Sequence, residues 1–344
     1  MKYNIIFTIL FLIITQFSFA AGGSDKGQPQ WVLNLEEVYP NAQFVTARGE
    51  GATRREAETR AAAVISQYFL SQITAEQSSR AVYTTRNDAV NVERQTIDNT
   101  VIETQMKITA MRYAQDPWHN KKAKQWETIV YINRNEAWDL YEPNAKRQSD
   151  ALLNLIRAAD EEKEPFNAFL RYGNALAYEG GAEYSGARLF SQVLNPGKAN
   201  MLFADADKSL SAIMQKRFDV REKSRMFIEC PVDFDKIVYQ AAVRAVGAYG
   251  FSVEPSRANT QTRVVIQVEE GAQKLDAGQF YYPALTMTVS VQKGSLFSFK
   301  VQGERSGAMN PDLAKRRAYT ALAGELEKSF AVELEKHQKS LIGK

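Results

Sequence analysis

Two histidines, His119 and His337, and one cysteine, Cys230, are the chain's whole stock of imidazole and thiol side chains, the groups able to act as a neutral-pH imidazole base, a thiol nucleophile or an imidazole or thiolate metal ligand. A His-rich zinc site needs several such groups and a Cys–His nucleophile needs a matched pair, so neither can be assembled. His337 falls at the frayed end of the last helical stretch. Cys230 lies within the apolar run MFIECPV, where a small buried, inert thiol is the expectation. A Ser-His-Asp triad through His119 would need a nucleophile, and no G-x-S-x-G elbow supplies one. Glu50 and Asp116 are a formal carboxylate pair, but solvated carboxylates are common and no spacing singles these two out. Gly49-Glu50-Gly51 precedes a helix as phosphate loops do; it lacks a further glycine, and the helix opens with Arg54-Arg55. The residue inventory therefore predicts no enzyme, with no catalytic residues, no cofactor and no metal.

Two segments carry residue types suited to contact instead. Trp118-His119-Asn120-Lys121-Lys122 sets an aromatic beside lysines in a connection between strands. Trp118, His119, Lys121 and Lys122 there could meet an anionic polymer or a partner protein. In the other reading Trp118 folds back onto the sheet and the lysines are simply solvated. Gln279-Phe280-Tyr281-Tyr282-Pro283 ends a glycine-containing loop. Tyr281 and Tyr282 form either an exposed aromatic patch or the start of a core-filling strand at Leu285.

The elements that must position these residues follow from hydrophobic period. Gln43 to Gly49 is strand-like, and Thr53 with Glu56 forms a capping-box pattern for a helix from Arg54 to Ile73. Its inward face carries Ala57, Ala61, Val64, Ile65, Tyr68 and Phe69, continuing to Gln72 and Ile73; the early alanines let its first turns approach a sheet closely. Val101–Tyr113 and Gln125–Asn133 read as the arms of a long hairpin, the second alternating as a half-buried strand does. The middle of the chain is helical, with breaks at Pro165, Gly180-Gly181 and Pro196-Gly197. From Met226 the order reads β-α-β-β-β-β-α. It has strands at Met226–Val232, Phe251–Glu254 and Arg263–Val268, a helix over Phe234–Tyr249 and a hairpin turning at Lys293-Gly294. A helix from Pro311 to Lys336 closes it. The predicted class is α+β: two small α/β domains at 31–142 and 225–344 flanking a helical hairpin region at 143–224. Residues 49–69 and 303–326 share a strand, a Gly-Glu turn and an Ala-rich helix, aligning Ala57 with Ala314 and Ala61 with Ala318, a match that ends where Tyr68 meets Glu325.

The N-terminus sets the expected compartment. Lys2, the apolar run from Ile5 to Ile14 and the small residues Ser18 and Ala20 have the grammar of a cleavable secretory signal, at 1–20, cut after Ala20. Residues 21–30 read as a flexible leader, with order starting at Trp31. Ala21, not cysteine, follows the expected cut, so no lipid anchor is expected. The formal net charge of +3, or +2 without Lys2, predicts no nucleic-acid binding. One cysteine allows no internal disulfide, so the exported chain is expected to be stable by its cores alone.

Trp31-Val32, Tyr39-Pro40, the run Phe44 to Gly51, and Arg55 to Ala63 together resemble the LPP-twenty lipoprotein family and the related N-terminal domain of flagellar assembly protein T. The resemblance covers the first domain. It implies a small α/β domain in a non-enzymatic envelope protein and, through the flagellar relatives, periplasmic attachment around the motor. It supplies no catalytic residues, and the lipid-bearing cysteine of the lipoproteins is missing here. The expected function is a periplasmic or exported scaffold whose partners are envelope or flagellar proteins. The alternative is a periplasmic ligand or glycan binder using the loops near Trp118 and Tyr281.

Overall fold

A computed structural model of the chain describes residues 28–84, 111–276 and 278–342. The expected signal, most of the leader and most of the first hairpin arm lie outside the described residues, as do the side chains of Gln72 and Ile73. The class is α+β, with two compact units: one within 1–68 and 110–134, the other within 69–109 and 135–344.

In the first unit, short helices α1 (Gln30–Leu33) and α2 (Leu35–Val38) lead into strand β1 (Phe44–Gly51), then the part of helix α3 (Arg54–Thr84) up to Tyr68. After them come β2 (Arg112–Tyr113), β3 (Trp118–Asn120) and β4 (Gln125–Asn133). The sheet runs β1-β4-β2, with β3 also antiparallel to β4. Register sets Val45 against Ile132, Ala47 against Val130 and Gly49 against Thr128. Those residues share one face, and α3 lies on it; Val64 and Tyr68, expected on the inward face of the helix, are instead exposed, because they sit one residue off the buried line of Ala57, Ala61 and Ile65. A Cβ on Gly49 would stand 2.5 Å from the Ala61 amide nitrogen and closer still to the Ala57 carbonyl; on Gly51 it would stand 2.7 Å from the Ala57 nitrogen. The early alanines of α3 and two glycines of β1 thus bring helix and sheet backbones nearly into contact. Thr53 caps α3 by accepting from the Glu56 amide at 3.2 Å, while the Glu56 carboxylate reaches back to the Ala52 amide at 3.0 Å.

The opposite face is covered too, so β4 is not half-buried as its alternation predicts. Trp31 of α1 packs there with Ile129 and Ala114. Tyr39, Phe44 and Tyr131 close the layer with ring centroids 4.9–5.7 Å apart. Trp31 Nε1 donates to the Asp116 carbonyl at 3.2 Å, across 85 residues of chain.

In the second unit, α4 (Arg134–Asp160) runs on through Pro143, so position 142 falls inside a helix rather than at an element boundary. Then come α5 (Pro165–Gly180), α6 (Ala182–Leu194) and α7 (Pro196–Lys223), which begin or end at the breaks expected from proline and glycine. Strand β5 (Met226–Glu229), helix α8 (Ile237–Gly247), β6 (Thr262–Glu269), β7 (Ala272–Leu275), β8 (Gly278–Tyr281), β9 (Ala284–Val291), β10 (Gly294–Gln302), β11 (Ser306–Ala308) and helix α9 (Pro311–Ser340) follow. The main sheet is ordered β10-β9-β6-β5, with β5 and β6 parallel. The expected strand at 251–254 is reduced to one bridge, Val253 to Met226. The loop expected after Glu269 instead holds β7 and β8, which with β11 make a separate three-stranded sheet. Phe166 and Phe169 of α5 enter the same apolar core as Met226, Val264, Met287 and Leu326, so the helical region and the main sheet are continuous in packing.

Candidate functional site

The first predicted contact segment is a hairpin tip. The side-chain oxygen of Asn120 accepts from the backbone amides of Lys122 at 3.1 Å and Ala123 at 3.0 Å, an Asx arrangement that tightens the turn. Lys124 closes it with φ of 53°. Because β3 is extended, its neighbours point to opposite faces. Trp118 is half-buried against the Trp31–Ile129 cluster, whereas His119 is exposed with its ring 5.0 Å from that of Trp126. Lys121 and Lys122 are exposed at the turn. The structure therefore groups His119 and the lysines at the tip and sends Trp118 into the sheet. Trp118→Ala is expected to cost about 2 kcal/mol, roughly half of a full aromatic truncation. His119→Ala and Lys121→Ala should stay within about 0.5 kcal/mol. Urea denaturation of the three variants checks this.

Beside Trp118 lies a group that composition did not single out. Glu127, opposite Trp118 in register, is 2% exposed. One carboxylate oxygen pairs with Arg48 and the other accepts from Asn120 Nδ2 at 3.0 Å. The Arg48 guanidinium also lies 5.8 Å from the Trp31 ring centroid, and burial lowers its pKa against the opposing effect of Glu50. The only sequence signal for this cluster is that Glu127 and Arg48 occupy the outer face of two alternating strands. The diagonal that joins them depends on register.

The second segment belongs to β8, not to the start of the Leu285 strand. Tyr281 is half-buried, and its ring centroid lies 5.7 Å from Lys315 Nζ. Phe234 and Tyr319 stand 5.4 and 5.8 Å from the same ammonium, and Glu270 Oε2 is 2.7 Å from it. Lys315 thus fills an aromatic box with its own charge neutralised. The Tyr319 hydroxyl donates to Glu270 at 2.8 Å; burial first, then Glu270, raises its pKa. Tyr282 is exposed, packed over Gly271, where a Cβ would meet its ring. The box ties α9 to β8 and to the loop before α8. In that loop Asp233 accepts from the Val238 and Tyr239 amides at 3.1 and 2.7 Å. After Phe234, two consecutive non-glycine residues, Asp235 and Lys236, take left-handed φ values of 51° and 57°, and Asp235 is ion-paired to Arg316.

The remaining chemically capable groups are engaged in packing. His337 is not at a frayed end: α9 continues to Ser340, and the imidazole stands 3.0 Å from Asn167 Oδ1 and 5.3 Å from the Phe297 ring. Cys230 is half-buried, and burial, helped by Asp233, pushes its thiol up to about 12. At pH 8 this leaves about a thousandfold less thiolate than an ordinary cysteine carries. Alkylation by a maleimide is expected to be slower in the folded chain by about that factor, and to recover its ordinary rate in guanidinium. No cluster of three potential metal ligands occurs among the described residues. No helix among them is long and apolar enough to cross a membrane.

Neither a family model nor a curated protein matches the chain. Among solved structures, the crystal structure of the secreted protein HP1454 from the human pathogen Helicobacter pylori is similar at a TM-score of 0.31 and 12% identity. The match covers 86% of this chain and 97% of that one.

Proposed function

We propose that the protein is a non-enzymatic cell-envelope scaffold, exported by a cleaved signal into the periplasm, whose partners are other envelope proteins, including those of flagellar assembly. The observation that carries this reading is the set of large flexible apolar side chains held in water on otherwise well-packed elements. Met309 at the foot of α9 is 80% exposed, Met201 on α7 73%, and Leu140 on α4 63%. Methionine adapts its shape to a partner at low cost, which suits it to contact surfaces. The resemblance of residues 31–73 to LPP-twenty and flagellar assembly domains supports the same class. So does the local commitment of Glu127, Glu270 and His337, each held by neighbours in packed positions.

The test is in-cell crosslinking of the tagged mature chain, envelope fractionation and quantitative mass spectrometry. Recovery of envelope or flagellar proteins in fixed ratio is the expected result. Turnover of an envelope polymer by the purified protein would overturn the reading.

A further inference from the structure

The turn between β3 and β4 carries Lys121, Lys122 and Lys124, all exposed. Register extends this cluster onto a second element. Gly51 stands opposite Trp126, so the chain leaving β1 for α3 emerges at the same end of the sheet as the turn. There α3 opens with Arg54 and Arg55, both exposed. Arg54 pairs with Glu58, whereas Lys121, Lys122, Lys124 and Arg55 make no ion pair among the described residues. The acids at this end are engaged: Glu56 pairs with Arg60, Glu127 with Arg48, and Glu50 accepts from Gln125 Nε2 at 3.0 Å. The small net charge of the whole chain, +3, thus hides a local excess of cations.

Two of these cations sit where they cost local stability. Lys124 takes a φ of 53°, left-handed backbone that glycine or asparagine adopts more cheaply. Arg55 lies in the first turn of α3, where the helix dipole favours an acid. Charge kept against local preference is the pattern of a working surface. The turn is also held in place. Asn120 accepts from the Lys122 and Ala123 amides, and Trp118 anchors β3 in the layer beneath. The lysine backbones are therefore fixed while their side chains reach into solvent.

We infer that this end of the first unit docks on an anionic lipid surface; the inference goes beyond the scaffold reading and does not depend on it. The chemistry of the cations selects the ligand. Lysine ammoniums are hydrated point charges on flexible stems and lack the planar fork that grips one carboxylate or phosphate. An exposed turn encloses no single molecule. Such groups gain most from many mobile phosphates spread over a plane, where each cation adds its own attraction. His119 and Trp126, facing each other across β3 and β4 with rings 5.0 Å apart, add an aromatic pair suited to headgroup depth.

The test is co-sedimentation of the mature chain with vesicles of phosphatidylcholine containing about one third phosphatidylglycerol, against pure phosphatidylcholine. Partition onto the anionic vesicles alone, falling as salt rises, is the expected result. Replacing Lys121, Lys122 and Lys124 together by glutamine should weaken it about a hundredfold, about fivefold per charge. The same replacement of Lys146, Lys163 and Lys208, exposed and unpaired in the second unit, should change it by less than about twofold. Lys124→Asn alone should weaken partition about fivefold while raising the urea midpoint, since asparagine tolerates the left-handed backbone. A merely structural role for Lys124 would not separate the two readouts. Equal losses in the two triple variants would overturn the inference, as would equal partition onto neutral vesicles. Binding to soluble polyglutamate with none to vesicles would overturn the lipid assignment. Crosslinking to envelope partners is read separately, so the scaffold reading can survive any of these results.

Discussion

Gly49→Ala is expected to destabilise the first unit by about 3 kcal/mol, the upper end of ordinary overpacking costs. The added methyl has nowhere to go. Its carbon would lie 2.5 Å from the Ala61 nitrogen and nearer the Ala57 carbonyl, and these are backbone atoms of α3 that no rotamer change can move. The helix must retreat from β1 as a body, and the buried contacts of Ala57, Ala61 and Ile65 loosen together. Chemical denaturation measures the loss, and hydrogen exchange should locate it in α3, β1 and β4. Gly324→Ala is the matched control. Gly324 is exposed inside α9 with nothing within 4 Å of a new Cβ, so the same chemical change should stabilise by about 0.8 kcal/mol through helix propensity. If Gly49→Ala proved neutral, the close helix–sheet approach would be wrong.

Arg48→Ala should cost about 2 kcal/mol by stranding a buried carboxylate. Glu127 would keep only the Asn120 amide as a partner, at 2% exposure. A fully enclosed pair would cost more. Here the Arg48 side chain is 36% exposed, and water can reach the vacated space and offset part of the loss. The double replacement Arg48→Met with Glu127→Leu removes both charges and keeps volume, and should return within about 1 kcal/mol of the parent. A double-mutant cycle read by urea denaturation separates the two effects. Equal losses in the single and double variants would mean that packing of the Arg48 stem, not its charge, matters.

Legibility in the sequence followed the length and regularity of each element. β4 was readable over its full extent, Gln125–Asn133, because Trp126, Thr128, Val130 and Ile132 recur at period two, although the burial of its other face was not. The starts of α5, α7 and α9 were readable because proline at a first helical turn is a local device. The small sheet was not. β7 is AQKL, all exposed, and β11 is SGA, so neither carries a hydrophobic period, and their pairing is set by α9 and β8. The extra length of α9, which docks His337, was hidden by its charged last turns. The sites divide the same way. That Trp118 and His119 would part follows from strand geometry, but whether Trp118 met core or water depended on α1, whose Trp31 is 85 residues from Asp116. The Lys315 box and the Arg48–Glu127 pair each join residues from separate elements, so nothing in a local window announces them.

The same span from Trp31 to Asp116 bears on how the chain reaches this structure. Among the described residues β1 pairs only with β4, Phe44 against Asn133, a partner made at the far side of the unit. Closing so long a loop costs chain entropy before any contact repays it, whereas β9 and β10 meet across a two-residue turn. The C-terminal hairpin can form as soon as it is synthesised. The N-terminal sheet, begun first, must wait, and during that interval Trp31, Phe44 and Val45 form an apolar segment without its layer, the part of the nascent chain with most to gain from a chaperone.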